Sequence, residues 1–191
     1  ALAGEVRHGQ RDGVDVRGAG EGGHVVHAAV REVLLHEGHD EQDRRRWDHG
    51  LIREGVALVT GALRVHRSGP YQLQAAVAAV HDQAPTYADT NWAEIVSLYE
   101  ALERVAPNPL VTVNLAVAVA MVDGPDAGLR VLATVGDRLE SHHRYHAVRA
   151  RLLELAQRPA EALTAYDNAL RLVTNTRERD HLQLRRAGLR P

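Results

Sequence analysis

The chain contains no Cys, no Phe and no Lys, and only one Met. Without Cys there is no disulfide framework, no thiolate zinc site and no thiol nucleophile. No stretch approaches the roughly 18 apolar residues that a membrane-spanning helix needs, and no basic-then-apolar leader opens the chain. A strong charge of one sign is also lacking. The 23 basic residues, all Arg, face 25 acidic ones, and a net charge of −2 gives no overall attraction to nucleic acid or anionic lipid. There is no Gly-x-Ser-x-Gly elbow, phosphate loop or dinucleotide fingerprint, and Gly18-Ala-Gly20-Glu-Gly22 follows no strand pattern. These absences predict a protein of a reducing cytoplasm that is not an enzyme and carries no cofactor. Lys and Phe codons are AT-rich, so their absence fits a GC-rich genome, and the missing initial Met predicts a fragment.

What is present divides into two unlike regions. Residues 1–43 hold eight of the 16 Gly and five of the 12 His, with four Arg against nine acids. Four Gly between 18 and 23 would each cost a helix interior about 1 kcal/mol relative to Ala. Only Val25 to Leu35 could form a helix there, with Val26, Ala29, Val30 and Val33 on one stripe. The expectation for 1–43 is a poorly ordered Gly/His-rich leader, either a truncated remnant or non-native, out-of-frame translation. Residues 44–191 carry 19 Arg against 16 acids and a nearly continuous helical pattern. They are expected to form one helical domain.

The signals along that domain are specific. A helix is predicted from Arg45 to His66, with Asp43 as N-cap and Trp47, Leu51, Leu58 and Ala62 on its buried face. Ser68-Gly-Pro70 restarts the chain into a helix from Tyr71 to Gln83, which presents Leu73, Val77 and Val80. Asn91 and Glu94 have the spacing of a capping box, with Asp89 and Thr90 as alternative caps, for a helix presenting Trp92, Ile95, Leu98, Tyr99 and Leu102. Asn108-Pro109 opens Leu110 to Val122, and Asp123-Gly-Pro125 forms the next turn. Further helices are predicted over Asp126–Val135, His143–Ala156, Ala160–Val173 and Thr176–Leu184. The fold class is therefore all-α, with antiparallel helix pairs.

Self-similarity sharpens this into an architecture. Ala162, Tyr166, Ala169 and Leu170 repeat 34 residues earlier as Gly128, Leu132 and Val135, and a further 34 earlier as Glu94, Leu98 and Ala101. Ala116 and Ala150 are also 34 apart. A two-helix hairpin cannot bury its own apolar stripe and so stacks on copies of itself. The pattern looks like the tetratricopeptide repeat, and the expected fold is a short superhelix of that kind, with Glu94 displacing the small residue of the first copy.

Several stretches carry a family resemblance. Asp43-Arg-Arg-Arg-Trp-Asp48 leads into Leu51-Ile52, then come Gly69-Pro-Tyr-Gln-Leu-Gln-Ala-Ala76 and Asp89-Thr-Asn-Trp92. Asn108-Pro109, Asn114-Leu-Ala-Val-Ala-Val119 and Asp123-Gly-Pro125 follow. In this order, from Gln42 to about Leu184, they resemble the C-terminal tetratricopeptide-like extension of a bacterial extracytoplasmic-function (ECF) RNA polymerase sigma factor. The resemblance implies a protein-interaction module in transcription initiation. Its implied partners are RNA polymerase and the promoter-binding domains of the parent sigma factor, which hold the sigma activity. No helix-turn-helix with a basic recognition helix occurs in these residues, so direct nucleic-acid binding is not expected of them. The alternative is a free-standing repeat scaffold for an unrelated partner, and a metal-dependent enzyme ranks third.

Candidate partner-binding residues follow from this placement. Asn114, Arg144 and Arg151 lie on first helices of hairpins, which line the concave face of such a solenoid, and Arg suits bidentate contact with a carboxylate. Tyr71, Gln74 and His81 fall on one side of their helix, either as a domain-joining contact or as polar groups satisfied in the core. Two His pairs invite a metal reading. His36 and His39 are three apart rather than four, and His142 with His146 has no third local ligand. Solvated residues, and an exposed helix start in the second case, are the expectation. Arg177, Arg179, Arg185, Arg186 and Arg190 make the tail basic, with a solvated end helix as the default.

Overall fold

The computed structural model describes residues 44–64 and 69–189. The expected leader at 1–43 lies outside them, as do Asp43 and the His36–His39 pair. All regular elements among the described residues are helices. They comprise α1 (His49–Arg64), α2 (Pro70–Gln83), α3 (Trp92–Val105), α4 (Pro109–Asp123), α5 (Pro125–Ala133), α6 (Gly136–Leu139), α7 (His143–Leu155), α8 (Pro159–Leu172) and α9 (Thr176–Gly188).

Helix starts follow the local chemistry of the chain. Pro occupies the first turn of α2, α4, α5 and α8, where a missing N–H costs nothing. The Asn91 side chain accepts from the Glu94 N–H at 3.2 Å, and Asn108 accepts from the Leu110 N–H at 2.9 Å. Between α4 and α5 the turn needs Gly124, whose φ of 88° is a left-handed value that side chains disfavour. The first helix starts later than expected. Arg44–Arg46 form a short 3₁₀ turn, and Asp48 caps α1, its Oδ1 accepting from Gly50 at 2.8 Å and Leu51 at 3.1 Å.

The hairpins stack as antiparallel pairs in a short superhelix of the tetratricopeptide type. α2 pairs with α3, α4 with α5 and α7 with α8, and α9 closes the end against α8. The core runs in two clusters that share α4. Leu73, Val77, Trp92, Ile95, Tyr99 and Leu115 build the first. Ala116, Leu132, Leu152, Ala162, Tyr166 and Leu182 anchor the second. Because α4 contributes to both, it is apolar on nearly all sides, and its Val-rich run is a buried helix rather than a strand.

Two sequence expectations are corrected. The copies of the second helix are not uniformly 34 apart. The buried residues of α3 are Trp92, Ile95, Tyr99 and Leu102, while Glu94 is exposed and Leu98 and Ala101 are half-buried. Ile95, Tyr99 and Leu102 stand 33 residues before Gly128, Leu132 and Val135, which in turn stand 34 before Ala162, Tyr166 and Ala169. One residue on a helix turns the face by about 100°, so the shorter first interval decides which side chains are buried. In α1 the expected buried face is exposed, with Leu51 at 66% and Leu58 at 69%. Ile52, Val56, Val59 and Leu63 are the half-buried stripe instead. Two apolar stripes lie side by side on this helix, and packing selected the other one.

Candidate functional site

The first helices of adjacent hairpins, α4 and α7, touch one another and present Asn114 and Arg144. Beneath them lies Tyr99 from α3, only 3% exposed. The Asn114 side chain and the Arg144 guanidinium both act on its hydroxyl. Burial pushes the Tyr99 phenol far above its ordinary range, with Asn114 and Arg144 acting the other way, so the hydroxyl stays neutral. Both Asn114 and Arg144 are half-buried. The structure thus brings two of the expected partner-binding residues together over a buried phenol.

A polar strip continues from Arg144 along the start of α7. His142 is the N-cap, its Nδ1 accepting the Arg144 N–H at 3.3 Å. Its ring stacks on His143 at 5.1 Å, and His143 Nε2 lies 3.0 Å from Glu178 Oε2. Glu178 is 7% exposed at the first turn of α9, and its N–H donates to the Asn175 side chain. Burial first, then the neighbouring His143 and Arg144, hold the His142 ring below its ordinary value, and Glu178 opposes them. His146, expected at an exposed helix end, is instead buried, with Nε2 2.6 Å from the Glu140 carbonyl. His142 Nδ1 and His146 Nε2 thus face main-chain groups, and no cluster of three or more metal-ligating side chains stands among the described residues.

Arg151 belongs to a different group. It donates to Glu154 Oε1 at 2.8 Å, and Arg185 of α9 donates to the same oxygen at 2.7 Å. The Tyr166 hydroxyl donates to Glu154 Oε2 at 2.8 Å. Arg151 is therefore part of a knot tying α7, α8 and α9, in which one carboxylate serves two guanidinium groups. Of the expected basic tail, Arg179, Arg185 and Arg186 are tied down, Arg177 is exposed, and Arg190 lies outside the described residues. Arg186 pairs with Asp167 at 2.6 Å, and Arg179 donates to the Val173 carbonyl at 2.7 Å.

Tyr71, Gln74 and His81 share one side of α2 but not one environment. Tyr71 is 70% exposed at the start of α2, and Gln74 is half-buried with Oε1 shut off from solvent and unbonded. His81 is buried, edge-on to Trp92 at 5.0 Å, and belongs to the core. Ten residues of helix leave the first and last of the three about 80° apart and about 15 Å along the axis.

Sequence reading missed Arg44 and Glu154. Arg44 is 4% exposed, and its Nη1 donates to the His81 carbonyl at 2.7 Å and the Ala84 carbonyl at 2.9 Å, closing the C-terminal end of α2. Its guanidinium also lies 5.1 Å from the Trp47 ring centre. A run of three Arg gives no sign of which one turns inward. Glu154 had a signal: it stands 34 residues after Ala120, so a carboxylate replaces a core methyl at the equivalent position.

No protein-family model and no solved structure matches the chain. Among curated proteins, an uncharacterized protein of Rhizobium meliloti (strain 1021) is 44% identical over 145 residues, covering 76% of this chain and 34% of the relative. The chain thus spans about a third of the length of the curated relative it matches.

Proposed function

We propose that residues 44–191 are a protein-interaction module, similar to the C-terminal extension of an ECF sigma factor, acting in transcription initiation. In this reading the module works in the cytoplasm and catalyses nothing. It contacts RNA polymerase or the promoter-binding domains of its parent through the face carrying Asn114 and Arg144. The observation that carries the reading is the convergence of these two side chains over the buried Tyr99 hydroxyl on the first-helix face. A half-buried guanidinium and a half-buried amide on this face suit a partner's carboxylate and backbone carbonyl. The greater length of the relative supports a module that is one part of a larger chain.

One observation favours the rival scaffold reading. Many resemblance blocks lie at helix starts and turns: Gly69-Pro70, Asn91-Trp92, Asn108-Pro109 and Gly124-Pro125. Such residues specify the fold whatever the partner is. Titration of the chain against polymerase core and, separately, against isolated two-domain sigma factor distinguishes the readings. Binding to either, weakened at least roughly tenfold by Asn114→Ala with Arg144→Ala at unchanged helicity, is expected. Failure to bind either overturns the transcription role.

A further inference from the structure

We propose that the first-helix face of α4, α7 and α9 binds an acidic and apolar segment of a partner protein. A partner carboxylate seats between Arg151 and Arg185, and an apolar side chain two residues from it lies against Met121 and Leu155. This second contact rests on the protein-binding reading of the first-helix face, and its centre at Arg151 stands about 10 Å along α7 from Arg144. The 34-residue period lays the face out as two rows. Val117, Arg151 and Arg185 hold the same position on three successive first helices, and Met121, Leu155 and Leu189 follow each by four residues, about one turn. Two contacts show that residues 34 apart meet across the helices. Arg151 and Arg185 share Glu154 Oε1, at 2.8 and 2.7 Å, and the Tyr87 hydroxyl stands 3.9 Å from Met121 Sδ.

Charge selects the polar half of the ligand. Glu154 is one carboxylate for two guanidinium groups, and its other oxygen, Oε2, accepts from the Tyr166 hydroxyl. The Arg151 and Arg185 side chains stay 34% and 30% exposed, and each guanidinium carries several N–H donors in a planar fork. A net positive charge and unused donors therefore remain at the surface, which suits bidentate pairing with a second carboxylate. α7 strengthens the field, with Arg144, Arg149 and Arg151 against Glu154 alone. Packing selects the apolar half. Val117 is buried and closes the cationic row, whereas Met121 and Leu155, 38% and 42% exposed, hold the apolar row open. A phosphate or nucleic acid would use the arginines and leave Met121 and Leu155 wet. In an extended segment, residues two apart stand on the same side about 7 Å from each other, close to the roughly 6 Å between the rows. An acid with an apolar residue two places away meets both rows at once.

Met121 is the chain's one Met, so its methyl signal needs no assignment. NMR of the full labelled chain follows that methyl, the Leu methyls and the Arg Nε–H groups during titration with acetyl-Leu-Ala-Glu-Ala-Leu amide. Saturable shifts are expected at Arg151, Arg185, Met121 and Leu155, and Gln for Glu in the peptide should weaken binding roughly fivefold. Arg151→Gln should weaken it to a similar degree. Glu154→Gln should instead strengthen it roughly fivefold, because the chain's own carboxylate no longer competes, even though the same change loosens the fold. A cluster that serves stability alone would give no such gain, and its absence would overturn the proposal. So would shifts confined to Asn114 and Arg144, inorganic phosphate binding as tightly as the peptide, or no saturable shift. These shifts are independent of binding to polymerase or sigma factor, so each reading fails on its own result.

Discussion

The α-carbon of Gly128 on α5 lies against the main chain of Ala116 on α4. A Cβ built at Gly128 would stand 2.5 Å from the Ala116 carbonyl oxygen and 2.6 Å from the Ala120 Cβ. Neither neighbour can swing aside, because one is backbone and the other a methyl fixed to it. Gly128→Ala is expected to lower unfolding free energy by about 1–3 kcal/mol, the usual cost of overpacking. Gly61, helical and with open space around its Cβ position, gives the opposite expectation. Gly61→Ala should raise stability, or the exchange protection of α1 if that helix opens separately, by about 0.5–1 kcal/mol. Urea denaturation with hydrogen exchange checks both, and equal effects would refute the close-approach account.

Glu154 is the shared acceptor of Arg151, Arg185 and the Tyr166 hydroxyl. Its side chain is 23% exposed, so water screens part of each interaction. Glu154→Gln and Tyr166→Phe should each cost about 1–2 kcal/mol, and the double variant less than their sum. Strict additivity in that cycle would mean that the hydroxyl and the carboxylate are not coupled.

Arg44→Ala leaves the His81 and Ala84 carbonyls at the end of α2 without their buried donor. A cost of about 1–3 kcal/mol is expected, concentrated where α1 meets α2. Exchange should quicken in α1 and the end of α2 and stay as it was in α7 and α8. Arg44→Lys should recover only part of the loss, because a single ammonium lacks the planar fork and its stacking on Trp47. Uniform quickening through the whole array would show that Arg44 is not a local tie.

His142 links stability to pH. Its folded pKa lies below the usual 6.5, chiefly through burial and then through His143 and Arg144, with Glu178 pulling the other way. Below pH 6.5 the unfolded chain therefore binds a proton that the folded chain resists, and stability falls as pH drops from there towards the folded value. Protonation at Nδ1 also removes the acceptor that caps α7. His142→Asn keeps a capping acceptor without a titrating charge. Denaturation midpoints between pH 5 and 7.5 should vary less in that variant than in the parent. Identical pH profiles would remove His142 from the account.

Features set by neighbours along the chain are legible in the amino-acid order alone. Asn91, Asn108, Gly124 and Pro109 act within four residues of themselves, and each stands where turn and cap chemistry places it. The all-helical class and the stacked hairpins follow from the 3.6-residue period and the recurrence of small residues at Ala116, Gly128, Ala150 and Ala162. The site is legible only in part. Asn114 and Arg144 stand out by their helices, but Tyr99 beneath them reads as ordinary core. Arg151 reads as an exposed cation until Glu154, Arg185 and Tyr166 are seen around it.

On its own, then, the amino-acid order determined where most helices from Pro70 onward begin, that they pair, and roughly how often the pair recurs, because those outcomes depend on short-range sterics, capping and periodic burial. Tertiary packing decided the rest. It chose Ile52, Val56, Val59 and Leu63 over Leu51 and Leu58 as the packed stripe of α1, and Ile95 over Glu94 as the counterpart of Gly128. It also turned Arg44, His81 and His146 inward. Side chains at one residue's difference in register are nearly equivalent to a local pattern, yet they point about 100° apart, and only the neighbouring helix distinguishes them.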